Sequence, residues 1–324
     1  MPALRIAFTD FPGRFNPDRI AALLSRRHTV VEVEDDPDYV IHSVFGHDYL
    51  RHENAVRIFF TGENVRPDFN LSDYAFSYDW LEFGDRHFRA PNFVLYDQWR
   101  DIVARGSSGV PDLAGKDGFC NFIYTNGDGH PIRDRFFHAL NAVEKVESFG
   151  AHLRNSERII GDAYRGDWTA PKVDAQRRFK FTIAFENSVS PGYSTEKLVH
   201  ALAADTIPIY WGDPEVGRVF NGERLIDMNR LSIEEGVERV LALHRDDAAW
   251  LEMVNRPFFA PGAPLAALGD EALLDAFDRI FSQPRDQAFR RNPHFWGRKY
   301  EARRRAEVEA EKLVRRVKRL AFWR

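Results

Sequence analysis

Short apolar segments alternate with amphipathic stretches along this chain, and that alternation restricts the possible folds more than any other feature of the sequence. The strand-like segments of the first third are residues 5–8, 28–33, 39–45 and 56–60. Between the first two, Ile20, Leu23 and Leu24 share one helical face, with Pro17 near the first turn. Short strands separated by helices are typical of a parallel sheet with helices on both faces.

The alternation restarts after residues 106–118, where Gly, Ser, Pro and Asp predominate, and we interpret this segment as an inter-domain linker. The elements predicted beyond it are strands at 119–124, 179–185 and 207–211, and helices at 131–146, 194–204 and from Ile233 onward. A chain of 324 residues also exceeds what one hydrophobic core usually serves. We therefore expect an α/β protein with two doubly wound, Rossmann-like domains that face each other across a cleft. The expected boundaries are 1–114, 115–300 and a tail at 301–324.

Composition and charge exclude several classes of protein. The single cysteine, Cys120, allows no intrachain disulfide, which favours a reducing compartment. Six basic residues and no acidic one follow from Lys312 onward, so removing them from the net charge of −4 leaves about −10 for the rest. An acidic body disfavours nucleic acid as a partner. The sequence opens with no signal peptide and has no membrane-spanning apolar run, so we expect a cytoplasmic protein.

The segment 179–198 carries the strongest chemical signal. It predicts a buried strand, a loop of Ser, Pro and Gly, and a helix that Ser194 or Thr195 can cap. The free N–H groups of a helix start at the end of a parallel strand form an anion site, to which Lys197 adds positive charge. A pyrophosphate fits this geometry, with Glu196 accepting hydrogen bonds from ribose hydroxyls. An ordinary strand-to-helix connection is the alternative interpretation.

Several blocks of sequence in and around this segment resemble the signature of the α1,3/α1,4-fucosyltransferase family. The blocks are Thr61 to Asn64, Pro67 to Asn70, Asp73 to Ala75, Phe119 to Asn126, Pro131 to Arg133, Phe185 to Asn187, Gly192 to Lys197 and Ile207 to Gly212. Their order and spacing make the resemblance specific, and it extends in patches over roughly residues 56–260. By this resemblance the chain is identified as a bacterial-type member of the family.

The resemblance implies a GT-B glycosyltransferase fold, with an N-terminal acceptor domain and a C-terminal domain for the donor, GDP-fucose. It also implies inversion at the anomeric carbon and no metal or other cofactor. Glu63 is implied as the general base. The donor-binding residues implied by the matching motifs are Arg154, Glu186, Asn187, Tyr193, Glu196 and Lys197. The partner would be a glycan acceptor, with N-acetylglucosamine linked α1,3 or α1,4 as the expectation.

The chemistry of glycosyl transfer suits these residue types. Displacement at an anomeric carbon passes through an oxocarbenium-like state, and the acceptor hydroxyl needs a base within hydrogen-bond reach. Departing GDP develops negative charge, which Arg154, Lys197 and helix N–H groups would stabilise without a metal. A salt-bridged or capping carboxylate is the alternative interpretation of Glu63.

Other acidic and histidine residues give weaker signals. Asp36 and Asp38 superficially match the acid-x-acid motif with which another glycosyltransferase fold holds a metal, but an acidic, solvated turn is the better interpretation. The histidines lack metal-ligand spacing, so we expect no metal. His42, at a strand end, is interpreted as a core or surface histidine rather than as an acceptor contact.

The tail, residues 301–324, predicts a basic amphipathic helix. Its apolar residues are Leu313, Val317 and Leu320, with Phe322 and Trp323 after them. Such a helix predicts docking of residues 312–324 on an anionic membrane surface, here the inner membrane face. A helix that packs on the body or joins oligomers is the alternative.

Two other functions fit the same sequence. One is a GT-B transferase that uses another nucleotide sugar, since a phosphate site recognises the nucleotide more than the sugar. The other is a non-catalytic glycan-binding module, which would bind acceptor without affinity for GDP.

Overall fold

The computed structural model describes residues 3–12, 17–157, 160 and 168–321, and the chain forms two compact units. The first unit consists of Met1–Ser77, Leu81–Ala90 and Asp270–Arg324, and the second of Tyr78–Trp80 and Pro91–Gly269. The strands are β1 (Leu4–Thr9), β2 (Val30–Glu32), β3 (Tyr39–His42), β4 (Val56–Phe60), β5 (Tyr74–Ser77), β6 (His87–Arg89), β7 (Gly118–Phe122), β8 (Val146–Ser148), β9 (Phe179–Phe185), β10 (Ile207–Trp211) and β11 (Ile226–Asp227). The α-helices are α1 (Asp18–Leu24), α2 (Asp97–Arg105), α3 (Ile132–Asn141), α4 (Thr169–Gln176), α5 (Glu196–Ala203), α6 (Ile233–Arg245), α7 (Asp247–Val254), α8 (Asp270–Phe281), α9 (Arg285–Ala288) and α10 (Phe295–Ala321).

The first unit is built on a parallel sheet in the order β2-β1-β3-β4-β5-β6. Every residue of β3, β4 and β5 is buried, as expected for central strands covered on both faces. Because all six strands are parallel, their carboxyl ends meet at one edge, where the connections that follow β3 and β4 begin. This edge carries the segment that contains Glu63.

The division into units differs from the expected boundaries at both ends of the second unit. Residues 270–324 belong to the first unit, because α8 covers an apolar face of its sheet. Phe277 stacks on Phe76 at 4.2 Å between ring centroids, and Phe281 packs edge-on against Tyr39 at 4.6 Å. Residues 91–114 belong to the second unit, where Trp99 of α2 donates a hydrogen bond to the carbonyl of Leu268. The segment 106–118 therefore lies within the second unit rather than between the two.

The second unit is built on a parallel sheet in the order β11-β10-β9-β7-β8. All seven residues of β9, the middle strand, are buried. The largest side chains of its core include Phe122, Phe136, Phe181, Phe185 and Trp250. Burial of apolar surface at about 25 cal/mol per Å² stabilises such a core. It also holds the end of β9 in the centre of the carboxyl edge.

Most predicted elements are present, and some of them are shorter than predicted. The strand predicted at residues 28–33 is reduced to β2, and the helix predicted at 131–146 ends at Asn141, because the side chain of Asn141 accepts a hydrogen bond from the backbone of Val146, where β8 begins. Cys120 is buried, as expected. The tail helix starts earlier than predicted, at Phe295. Phe322 and Trp323 lie outside the described residues.

None of the helices within the described ranges is long and apolar enough to cross a membrane.

Candidate functional site

The connection from β9 to α5 places a helix start at the middle of the carboxyl edge of the second sheet. Thr195 is the N-cap of α5: its backbone is extended and its hydroxyl accepts from the backbone N–H of Lys197 at 3.5 Å. Helix α5 packs on β9 and β10, which fixes its direction. The amide groups at the start of such a helix favour an anion. The capped helix start lies where the sequence predicts it, and its role as an anion site stays a prediction.

Glu186, the first residue after β9, ties the loop to the helix start. Its fully buried carboxylate accepts hydrogen bonds from the backbone N–H and the hydroxyl of Thr195, both at 2.7 Å. It also accepts from the ammonium of Lys197 at 3.2 Å. Burial raises the pKa of Glu186, an effect that the charge of Lys197 opposes. A carboxylate with three donors is a rigid anchor, so Glu186 orients Lys197 rather than facing solvent.

Lys197 and Glu196 form the polar surface of this helix start. Their side chains keep 15% and 14% exposure, and the ammonium lies 3.7 Å from the Glu196 carboxylate. Burial alone would lower the pKa of Lys197, but Glu186 and Glu196 outweigh it and hold that pKa well above its usual range. Burial alone would raise the pKa of Glu196, but Lys197 and Lys172 bring it to about 2. Both side chains are therefore charged at neutral pH.

Two glycines allow close backbone approaches around Glu186 and the loop before α5. Gly192 has φ +84°, and a Cβ there would lie 2.6 Å from the carbonyl oxygen of Tyr78. Gly212 has φ +153°, and a Cβ there would lie 2.5 Å from Cγ of Glu186. Both positions are therefore closed to larger residues.

Tyr193 and Asn187 flank the anchor in different ways. Tyr193 is buried, and its ring packs edge-on against Tyr78 at 5.0 Å. Asn187 is exposed, and its side-chain oxygen accepts from Arg133 at 3.3 Å. Arg133 is itself buried under the ring of Tyr124 at 4.5 Å. We had not predicted Arg133 as a site residue, although it lies in one of the blocks that carried the family resemblance.

Arg154 stands apart from the buried anchor. It is exposed in the loop that follows β8, and within the described part of that loop its guanidinium donates to the carbonyl of Ser156 at 3.2 Å. Residues 158–159 and 161–167, which follow, lie outside the described residues. Its role as a pyrophosphate ligand stays a prediction.

Glu63 lies at the carboxyl edge of the first sheet, after β4. It is exposed, and its backbone N–H donates to the hydroxyl of Thr61 at 3.1 Å. That hydroxyl in turn accepts from Ser43, which follows the neighbouring strand β3, at 3.3 Å. The turn that carries Glu63 is thus held by side chains at the ends of two strands. Its role as general base stays a prediction.

The weaker sequence signals belong to structural residues of the first unit. His42 is buried, stacks on Tyr49 at 4.0 Å and hydrogen bonds to the Ser72 hydroxyl at 2.9 Å, and burial lowers its pKa to about 3. It is a core histidine. Asp36 is exposed in a turn, and Asp38 pairs with Arg285 at 2.8 Å. Among the described residues, no group of three or more His, Cys, Asp or Glu side chains could hold a metal.

The two parallel α/β sheets form the two halves of a GT-B glycosyltransferase fold, as predicted. The structure is similar to a solved alpha1,3-fucosyltransferase with GDP-fucose, with a TM-score of 0.68 and 25% identity, covering 87% of this chain and 91% of that one. Its likeness to an alpha-glucosyltransferase in complex with UDP and DNA, with a TM-score of 0.50 and 12% identity over 86% of this chain and 99% of that one, supports the fold alone.

Residues 6–96 match the alpha-(1,3)-fucosyltransferase FucT N-terminal domain, and residues 113–255 match the C-terminal domain of glycosyltransferase family 10 (fucosyltransferase). The chain belongs to this fucosyltransferase family.

Two curated relatives show the same likeness. The chain is 30% identical to the alpha-(1,3)-fucosyltransferase FucT of Helicobacter pylori over 298 residues, which cover 78% of this chain and 60% of that protein. It is 29% identical to a putative fucosyltransferase of Acanthamoeba polyphaga mimivirus over 175 residues, which cover 52% of this chain and 28% of that protein. The matched region thus spans less than two thirds of the length of each of these relatives.

Proposed function

We propose that this chain transfers L-fucose from GDP-fucose to a hydroxyl of a glycan acceptor. The observation that carries the proposal is the anchored helix start at the end of β9, where Glu186 and Thr195 hold Lys197 in place. This anion site lies in the region that matches the fucosyltransferase C-terminal domain. The solved structure with GDP-fucose supports the same donor.

The proposed chemistry is inverting and independent of metal. Lys197 and the N–H groups of α5 stabilise the diphosphate as it leaves, and each such aimed donor is worth roughly 2.7–4 kcal/mol in comparable oxyanion sites. Glu196, kept ionised by its neighbours, accepts hydrogen bonds from ribose hydroxyls. Glu63 removes the proton of the acceptor hydroxyl as that oxygen attacks the anomeric carbon from the face opposite GDP. The fucosyl group changes anomeric configuration, and the proton remains on Glu63 until solvent takes it.

A donor competition assay tests the proposed donor. GDP-fucose is incubated with N-acetyllactosamine and N-acetylglucosamine-core acceptors, alone and against GDP-mannose and UDP-galactose. We expect transfer of fucose only, in an α1,3 or α1,4 linkage to N-acetylglucosamine, which product analysis by NMR identifies. Transfer of another sugar in preference to fucose contradicts the donor assignment, and binding of acceptor without GDP affinity would identify a glycan-binding module.

We also propose that residues 312–324 dock the protein on an anionic membrane surface at the cytoplasmic face. The described part of α10 supports this, because Leu313, Val314 and Val317 are more than half exposed beside basic side chains. Flotation with phosphatidylglycerol vesicles tests it at low and high salt. We expect co-flotation that salt weakens and that deletion of residues 312–324 abolishes. Equal flotation of the deleted chain contradicts the proposal.

A further inference from the structure

The second unit contains a buried lysine that differs from the other buried lysines of that unit in its hydrogen bonding. Lys172, on α4, keeps only 7% exposure. In the part of the chain that the structure describes, its ammonium makes no hydrogen bond, and its one ring contact is with Trp168, 5.5 Å from the ring centroid. An ammonium has three N–H donors, and within these residues Lys172 uses none of them.

The other buried or half-buried lysines of this unit all use their donors. Lys116 donates to the carbonyls of Arg177, Ala204 and Asp205. Lys180 donates to the carbonyl of His244 and to Asp247, and Lys197 donates to Glu186 and Thr195. Burial of an ammonium in this fold is therefore normally accompanied by hydrogen bonds, and Lys172 is the exception among these four.

Lys172 lies on a helix that packs against the start of the proposed anion site. Helix α4 contacts α5, and Glu196, Lys197 and Glu186 are the charged groups whose fields act on the pKa of Lys172. His200, one turn further along α5, contacts Trp168 at 5.7 Å between ring centroids. Glu186 accepts its hydrogen bonds from Thr195 and Lys197. Within the described residues of the unit Lys172 makes no hydrogen bond, so its ammonium is available to an acceptor on a bound ligand.

We propose that Lys172 is a further donor-binding residue, whose ammonium takes an oxygen of the bound nucleoside diphosphate beside Glu196 and Lys197. This inference rests on the proposed function, because it requires that the site bind GDP. It adds a third cationic group to Lys197 and Arg154, placed on the Glu196 side of the helix start. An oxygen of the bound nucleoside diphosphate accepts the hydrogen bond that Lys172 makes to none of the described residues.

Isothermal titration with GDP tests the contact on wild type, Lys172→Met and Lys116→Met. Methionine keeps the length of the side chain without its charge. At neutral pH we expect Lys172→Met to lose about tenfold or more in GDP affinity, since hydrogen bonds to charged groups are worth roughly that much. Lys116→Met should bind GDP like wild type. Unchanged GDP affinity in Lys172→Met overturns the proposal, whereas a wild-type protein that binds no GDP overturns the proposed function itself.

Thermal unfolding of the ligand-free variants separates binding from folding. Lys172→Met should melt at or above the wild-type temperature, because it replaces a buried charge that lacks hydrogen bonds. Lys116→Met should melt lower, because three carbonyls lose their donor. A fall in melting temperature for Lys172→Met as large as that for Lys116→Met identifies a structural lysine and overturns the proposal.

Two further titrations identify the ligand atom that Lys172 contacts. If Lys172→Met loses more affinity for GDP than for guanosine, the contact is to a phosphate oxygen. If it loses the same affinity for both, the contact is to a ribose oxygen; both results support the contact. If instead Lys172→Met costs nothing in a Glu196→Gln background, Lys172 acts only through Glu196 and the direct contact is refuted.

The pH dependence gives an independent readout. Burial lowers the pKa of Lys172 to about 8 in the ligand-free protein, while the pKa of Lys197 stays well above its usual range and that of Glu196 near 2. The ammonium therefore loses its charge first as pH rises, and the affinity gap between wild type and Lys172→Met should narrow at about pH 9. If the difference in GDP affinity between wild type and Lys172→Met is the same at neutral pH and at about pH 9, the contact is contradicted.

Discussion

The carboxyl edges of the two sheets hold their principal carboxylates in opposite ways. At the edge of the second sheet, Glu186 is fully buried and accepts three hydrogen bonds from Thr195 and Lys197. At the edge of the first sheet, Glu63 is exposed on a turn that Thr61 and Ser43 hold through their hydroxyls. The proposed roles fit this difference: rigid donors suit a site proposed to hold a diphosphate, and an accessible carboxylate suits a residue proposed to take a proton from an acceptor hydroxyl. The contrast teaches that the two proposed roles place different demands on a carboxylate.

The strongest test of this contrast removes the exposed carboxylate. Glu63→Gln should lower turnover by about 10²–10⁴-fold, the usual contribution of a general base, because the amide cannot take the proton. Its GDP affinity should equal that of wild type, since no predicted donor contact is altered. Turnover and GDP titration are measured on the same preparation. Wild-type turnover in Glu63→Gln would remove Glu63 from the mechanism.

The second test removes the cation at the buried edge. Lys197→Ala should weaken GDP affinity by about tenfold to a hundredfold, because a charge-assisted hydrogen bond is lost and the buried Glu186 is left without its counter-charge. Isothermal titration measures the loss. Lys180→Met is the control: Lys180, on β9 of the same unit, is buried, but it pairs with Asp247. A loss of GDP affinity in both variants would point to the fold rather than to the site.

The third test concerns the close approach at Gly192. Gly192→Ala should destabilise the chain by more than the roughly 1–2 kcal/mol that left-handed backbone alone costs, because its Cβ would meet the carbonyl oxygen of Tyr78. Gly262→Ala isolates the backbone cost, since Gly262 has φ +75° and no atom lies near its Cβ position among the described residues. Urea unfolding compares the two. Equal losses in the free energy of unfolding for Gly192→Ala and Gly262→Ala would show that the backbone at Tyr78 can move away from the added Cβ.

The smallest expected effect is on acid stability. The pKa of Glu196 is lowered to about 2 in the folded chain, below its usual value, so the ionised carboxylate stabilises the fold above that usual value. This stability is lost as pH falls toward the folded pKa. Glu196→Gln should flatten the fall of the urea midpoint between about pH 5 and pH 3. The same slope in wild type and Glu196→Gln would show that other groups govern acid unfolding.

Short-range patterns predicted most elements because they depend on neighbours in sequence. The all-apolar run of β9 and the capped start of α5 are local features, and both lie where the sequence predicts them. The sequence predicts Glu186 as a residue that lines the donor site, and this stays a prediction. That Glu186 also anchors the helix start depends on its contacts with Thr195 and Lys197, which no local pattern specifies.

Sequence by itself determined the two parallel-sheet halves, the family and the capped start of α5, because alternation, helix capping and the fucosyltransferase blocks are contained in contiguous residues. Tertiary structure decided that residues 270–324 return to the first unit, since Phe277 and Phe281 meet their partners Phe76 and Tyr39 only in the folded chain. It also decided which buried lysine makes no hydrogen bond within the described residues, namely Lys172. Burial and hydrogen bonding depend on residues distant in sequence, and for that reason Lys172 could not be distinguished from Lys116 until both were folded.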